Sequence, residues 1–218
     1  MKFSANALDI LYEDNHLLAI NKPKGLLTQP TPTQAESLET LAKTWIKTKY
    51  QKKGNVFLHP IHRLDKPVSG IVLFARTSKA LSRLNSQMRE HLIEKTYLAE
   101  VEGLLEKSSG ELFHHLARTS YRTLVQKNSK GGEGKPAHLS YTVLKEESHS
   151  THVLITLHTG RYHQIRAQFA HIGHPIIGDV KYGAKKTSSS SIALHHAILT
   201  FYHPITNQKL TIQSQSDY

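Results

Sequence analysis

The segment His62-Arg63-Leu64-Asp65-Lys66-Pro67-Val68-Ser69-Gly70 sets an acid between two cations. A neighbouring cation favours the ionised form of a carboxylate. An ionised carboxylate held in place can act as a covalent nucleophile. Pro67 and Gly70 interrupt regular structure, which puts Asp65 in a loop just before an apolar run, Ser69 to Ala75. An Asp beside an Arg in a turn is more often a cap or a surface ion pair. This segment alone leaves both readings open.

Two further segments carry groups that could serve such a carboxylate. In Gly160-Arg161-Tyr162-His163-Gln164-Ile165-Arg166, a helix from Gly160 to Gly173 is expected, with Ile165, Phe169 and Ile172 on one face. Arg166 then lies about 100° from Ile165, at the border of the apolar stripe, and Arg161 lies near the opposite border. A cation at a core edge either pairs with a partly buried acid or snorkels to water. In Glu94 to Gly103, strand alternation puts Tyr97, Ala99 and Val101 on one face. Tyr97 is then either a core ring or a flat surface for a base, with a hydroxyl to bond it.

The elements that must position these groups alternate in type. Ile10 and Tyr12, then Leu17, Leu18 and Ile20, read as two strands around a turn at Glu13-Asp14-Asn15. Residues 28–36 form a loop with two prolines. Leu38, Leu41, Ala42, Trp45 and Ile46 follow helical spacing, with Ser37 as N-cap. No acid occurs from Leu41 to Lys53, where five lysines stand, so that edge is either a solvated face or an RNA-facing one. Ser69 to Ala75 reads as a buried strand. A helix capped by Thr77 or Ser78 follows, with Leu81, Leu84, Met88 and Leu92 inward. Tyr97 to Val101, Val153 to Leu157, Leu194 to Phe201 and Leu210 to Ile212 read as further strands. Residues 127–135 read as a mobile loop or a hairpin tip, and residues 184–191 as a flexible loop. Strands and helices mix without regular βαβ alternation, so the expected fold class is α+β, a mixed and largely antiparallel central sheet with flanking helices.

Composition excludes several classes. The 218 residues contain no cysteine, which removes disulfides, thiolate metal sites and a Cys nucleophile. No run approaches a membrane span of about 20 apolar residues, and the first residues do not read as a signal peptide. The expectation is a soluble, cytoplasmic protein. Neither glycine-rich phosphate motif is present, which argues against a kinase or a nucleotide-cofactor methyltransferase. The 16 histidines raise the possibility of a metal-dependent hydrolase. Yet His114-His115 and His195-His196 are adjacent pairs that cannot share a strand face, and His-Glu-x-x-His is absent, so no metal is expected. A net charge of +11 favours a polyanionic partner, nucleic acid above all.

Taken together, the segments resemble one family. HRLDKPVSG resembles the catalytic-loop motif H-R-L-D-x-x-T-S-G of the RluA-type pseudouridine synthases. EKTYLAEVEG is similar to that family's K-x-Y-x-A-x-V-x-G strand, and GRYHQIRAQFAHIGHPIIGDVKYG to its G-R-x-H-Q-I-R block. LYEDNHLLAINKPKGLL and LHHAILTFYHP match its usual ends, so the resemblance runs from about residue 10 to 218. Val68 stands where threonine is usual, and Gln168 where histidine is common.

The resemblance implies an isomerase that detaches a uridine base in RNA, turns it and rejoins it through carbon, with no cofactor or metal. It implies a single catalytic domain over residues 1–218 without a separate S4-type RNA-binding domain. Asp65 would be the nucleophile or base, Arg166 would pair with it and orient it, and Tyr97 would stack on or bond the target base. Arg63 would help fill the space left by the flipped uridine, His62 would support the loop or contact the RNA backbone, and Arg161 would contact RNA. The partner would be ribosomal or transfer RNA, and the protein a monomer. A non-catalytic RNA-binding protein on the same fold is the alternative.

Overall fold

The computed structural model describes residues 3–126, 134–187 and 191–216. They form two compact units, one from the N-terminal segment to Glu94 together with the segment from His196 onward, the other from Lys95 to His195.

The first unit is built on the sheet order β1-β2-β4-β10, with β3 paired to β4 and β11 to β10. β1 (Asp9–Glu13) and β2 (Leu17–Lys22) form the hairpin expected around residues 13–15. Asp14 closes it by accepting from the Leu17 and His16 amides, both at 2.7 Å. β4 (Ser69–Ala75) pairs antiparallel with β2 and with the short β3 (His59–Pro60), and all seven of its residues are buried. A continuous apolar run is what a strand covered on both faces requires. α1 (Leu38–Lys49) starts at Ser37, whose hydroxyl accepts from the Thr40 amide while Thr40 bonds back. α2 (Ser78–Arg89) is capped by Thr77 and sets Ala80 and Leu84 among Leu17, Ala19, Ile71 and Leu73. Leu92 departs from expectation. His91 has φ 57, which ends the helix, and Leu92 emerges exposed. β10 (Leu194–Tyr202) pairs antiparallel with β11 (Lys209–Gln213) through Ile198 to Tyr202.

The second unit has the sheet order β5-β9-β8-β6-β7. Its strands are β5 (Glu94–Glu102, from Lys95 on), β6 (Ser109–Arg118), β7 (Thr123–Gln126), β8 (Lys135–Glu146) and β9 (Ser150–Leu157). Each described pairing within it is antiparallel. One face packs on α3 (Gln164–His171), where Ala167 meets Leu116 and Ala137, and Phe169 meets the Tyr141 ring edge-on at 5.7 Å. The helix is shorter than its sequence pattern implied. His163 has φ 53 and Arg161 to Gln164 form a turn, so Arg161 precedes the helix and lies on no helical face. Every residue from Gln164 to Phe169 is buried, so Arg166 has no stripe border to occupy. The helix ends as expected, with Gly173 at φ 87. Of the two glycine- and serine-rich stretches read as loops, residues 127–133 and 188–190 lie outside the described residues; the described part of the second is irregular, but Gly134 leads directly into β8 at Lys135. Among the described residues the architecture is α+β with a mixed, mostly antiparallel sheet and three α-helices, as the sequence suggested.

Candidate active site

Asp65, His62 and Arg63 belong to the first unit; Tyr97, Arg161 and Arg166 belong to the second.

Asp65 sits half-buried in the loop between β3 and β4. Three sets of bonds hold that loop. The Thr28 hydroxyl donates to the Leu64 carbonyl at 3.0 Å and stands 3.1 Å from the Leu64 amide. The Gly25 amide donates to the Lys66 carbonyl at 2.8 Å. The Val68 amide donates to the Asp65 carbonyl at 3.1 Å, closing a tight turn over Lys66-Pro67. With Leu64 and Val68 buried on either side, the carboxylate is carried on a backbone with little freedom. His62 is held by the Leu73 amide, which donates to its Nε2 at 3.3 Å, and meets the His196 ring edge-on at 5.2 Å. Arg63 is exposed.

Lys22 is a functional candidate that sequence reasoning passed over. It is wholly buried at the end of β2, and its ammonium donates to the carbonyls of Pro23 and Leu26, each at 2.9 Å, and of Lys66 at 3.4 Å. Burial lowers its pKa to about 7, against an opposing pull from the Asp65 charge. The lysine thus ties the loop after β2 to the loop of Asp65 and sets a cation near the carboxylate. It lies within NKPKGLL, a segment with an evident turn but nothing that announces a buried ammonium.

In the second unit Arg166 is buried, and its guanidinium clasps Asp179: Nε donates to Oδ2 at 2.7 Å and Nη2 to Oδ1 at 2.8 Å. This two-point geometry fixes the plane of the guanidinium. Its carbon also lies 5.1 Å from the centre of the Tyr182 ring. Burial holds the Tyr182 phenol above its ordinary pKa. That hydroxyl accepts from the Thr123 amide at 2.8 Å and lies 2.9 Å from His163 Nδ1. Asp179 and Tyr182 had no assigned role in the sequence, although both fall in GDVKYG.

The turn ahead of α3 is organised by Gln164. Its side-chain oxygen accepts from the Arg161 amide at 3.0 Å and the Thr159 hydroxyl at 2.8 Å, and its nitrogen donates to the His138 carbonyl at 3.1 Å. Arg161 is exposed and donates from Nε to the Pro136 carbonyl at 3.0 Å. Tyr97 is buried on the inner face of β5 with Ala99 and Val101, as alternation required. Burial lowers the pKa of Lys95 on the same strand face. Gln168, where the family pattern commonly has histidine, is wholly buried and donates to the Leu112 carbonyl at 2.9 Å. Glu100, Glu147 and His152 bring ligand-type atoms within 4.8 Å of one another. They already have protein partners: Ser150 for Glu100, and Lys145 and His152 for Glu147.

Residues 16–171 match the RNA pseudouridylate synthase family. The chain is 37% identical to the dual-specificity RNA pseudouridine synthase RluA of Haemophilus influenzae, over 97% of this chain and 94% of that protein. It is 34% identical to the ribosomal large subunit pseudouridine synthase C of Buchnera aphidicola, over 99% of this chain and 70% of the other. It is also 34% identical to the tRNA pseudouridine synthase C of Haemophilus ducreyi, over 96% and 91%. In fold it is similar to the solved human RNA pseudouridylate synthase domain containing 1, with a TM-score of 0.80 at 21% identity, covering 99% of this chain and 86% of that one. With the match covering most of its length, the chain belongs to the RNA pseudouridylate synthase family, in its RluA-type branch, and is an isomerase that converts uridine to pseudouridine in RNA.

Proposed function

We propose that this enzyme modifies uridines of ribosomal or transfer RNA, and that the Asp65 carboxylate is its nucleophile or base. The observation that carries this reading is the construction around Asp65. A half-buried carboxylate is held by Thr28, Gly25 and Lys22 through bonds to its two neighbours, Leu64 and Lys66. Bonds made to the backbone on both sides fix the position of the carboxylate, which is what a group that must attack requires.

The reaction exchanges one bond for another. The bond from N1 of uracil to C1′ of ribose breaks, the base turns, and a bond from C5 to C1′ forms while C5 gives up a proton and N1 takes one up, so that the composition is unchanged. Asp65 would take part at C1′, at the base or at the 2′ proton. Arg166, with its plane set by Asp179, would orient the Asp65 carboxylate. Tyr97 would stack on or hydrogen-bond the flipped base, and Arg63 would occupy the place it leaves. His62 and Arg161 would contact the RNA. In this reading the two units serve as one catalytic domain, working as a monomer in the cytoplasm with neither metal nor cofactor. RNA specificity is proposed from relatives whose names include ribosomal, transfer and dual specificity.

The test is incubation of purified protein, with chelator present, with separate transcripts of large-subunit ribosomal RNA and of transfer RNAs, followed by pseudouridine mapping. Conversion of defined uridines in either class by the native protein, and none by Asp65→Asn, is expected. Conversion by Asp65→Asn at the native rate would contradict the proposed role. Tight RNA binding with no conversion by the native protein would favour the non-catalytic alternative.

A further inference from the structure

The outer face of the second unit's sheet carries a structure the proposed chemistry leaves unused. Phe113 on β6 lies opposite His138 on β8, and the His158 amide, just past β9, donates to the His138 carbonyl. The three side chains form one column across the strands. Phe113 and His138 have ring centres 3.9 Å apart with planes 15° from parallel; His138 and His158 are 4.1 Å apart and 20° from parallel. α3 packs on the opposite face through Ala167, so this column stands on the other side of the sheet. Phe113 ends the column and is 63% exposed.

Cross-strand ring pairs stabilise sheets, but that role does not call for a phenyl group with most of its surface in water. The surroundings distinguish the possible occupants. An apolar protein partner would need apolar neighbours around the ring, since the centre of a protein interface is depleted of charged and polar groups. Here the neighbours on the same face are Glu111, His115, Pro136, Ser140 and Thr156, of which Pro136 alone is apolar. Ser140 Oγ lies 3.0 Å from His158 Nε2, and the Glu111 carboxylate 3.7 Å from His138 Nε2. At the other end Arg161 is fixed on Pro136, the residue opposite His115. An exposed ring at the end of a preformed stack, set among hydroxyls and near a guanidinium, fits an unpaired base and its phosphate. The chain's charge of +11 has the matching sign.

We infer that Phe113, backed by His138 and His158, is a stacking platform for an unpaired nucleotide of RNA, separate from the Asp65 loop, with Arg161 beside it for the phosphate. This deepens the proposed function, on which it rests for the class of partner. The platform would hold a flanking single-stranded nucleotide and so raise affinity without entering the chemistry.

The test measures binding of a fluorescein-labelled oligouridine by anisotropy, and in parallel Asp65-dependent conversion of the RNA found above at saturating protein. Base–aromatic stacking supports at least about a five-fold loss of affinity for Phe113→Ala, with Phe113→Trp close to native. In a Trp45→Phe background, Phe113→Trp places a lone indole on the platform, and oligouridine should quench its fluorescence. The conversion rate at saturation should be unchanged in Phe113→Ala. Unaltered oligouridine affinity in Phe113→Ala, an indole indifferent to oligouridine, or equal losses for Ala and Trp would each overturn the platform. Phe113-dependent binding without any Asp65-dependent conversion would sink the proposed function and leave the platform standing. Conversion that needs Asp65 with binding indifferent to Phe113 would do the reverse.

Discussion

Burial leaves the Lys22 side chain about half protonated near pH 7, with its pKa lowered to about 7. The unfolded chain keeps that proton up to the ordinary lysine value of 10.5. Between these limits the unfolded state binds more protons, so stability rises with pH, by at most about 1.4 kcal/mol per unit. Below the lower limit both states are protonated, and the cost of a buried ammonium is felt in full. Lys22→Met removes the titrating group and leaves the Pro23 and Leu26 carbonyls without this donor. Denaturant unfolding should therefore show the stability of the native protein relative to Lys22→Met increasing from about pH 7 to about pH 10. A difference that stays flat over this range would contradict the assignment. Asp65 could be picked out as a candidate in the sequence because its charged neighbours lie beside it in the chain. Lys22 could not, since the carbonyl that links it to the Asp65 loop lies 44 residues away, and nothing local marks a lysine as buried. Asp179 was missed for the same reason: its tie to Arg166 is tertiary.

Among the elements, β4 depends on one glycine. Gly70 lies in it with φ +113, and an added Cβ would fall 2.5 Å from the His196 nitrogen and 2.8 Å from its carbonyl carbon. Backbone atoms of a paired strand cannot withdraw as a flexible side chain can, and the positive φ adds strain. Gly70→Ala should lower stability by several kcal/mol, at least about 3, or prevent soluble expression. A melting temperature within a degree or two of native would refute this packing account. The apolar run of β4, the Ser37 cap of α1 and the alternation of β5 could be read directly, because in each the local pattern and the tertiary demand agree. β6, β7 and β8 escaped notice. β8 contains Pro136 one residue from its start, and β6 contains paired histidines, so neither looks like an apolar strand. The early start assigned to α3 failed because Gln164, a good helix former, uses its side chain to close the turn before it. The wheel position given to Arg161 fell with it, whereas Arg166 remained within the helix.

At the scale of the molecule, the excess of 28 Lys and Arg over 17 Asp and Glu sets the terms of RNA binding. Some of these cations are already paired within the protein, as Lys43 is with Glu39 and Lys145 with Glu147. Lys47, Lys52 and Lys53, at and beyond the end of α1, are exposed in the acid-free stretch and remain candidates to meet phosphate. Neutralising about six phosphates of single-stranded RNA gives a slope of log affinity on log salt near about −4. An affinity indifferent to salt would show that the basic surface has no part in binding. These electrostatics concern how RNA is held; the central claim concerns what is done to it, and by which residue. That claim is tested most directly by chemical mapping of pseudouridine in total RNA from cells carrying the native protein, no protein, or Asp65→Asn. The account predicts uridines modified only with the native protein, with Asp65→Asn indistinguishable from its absence. Modification restored by Asp65→Asn would contradict the role of the carboxylate, and no protein-dependent site in any RNA would contradict the assignment of substrate.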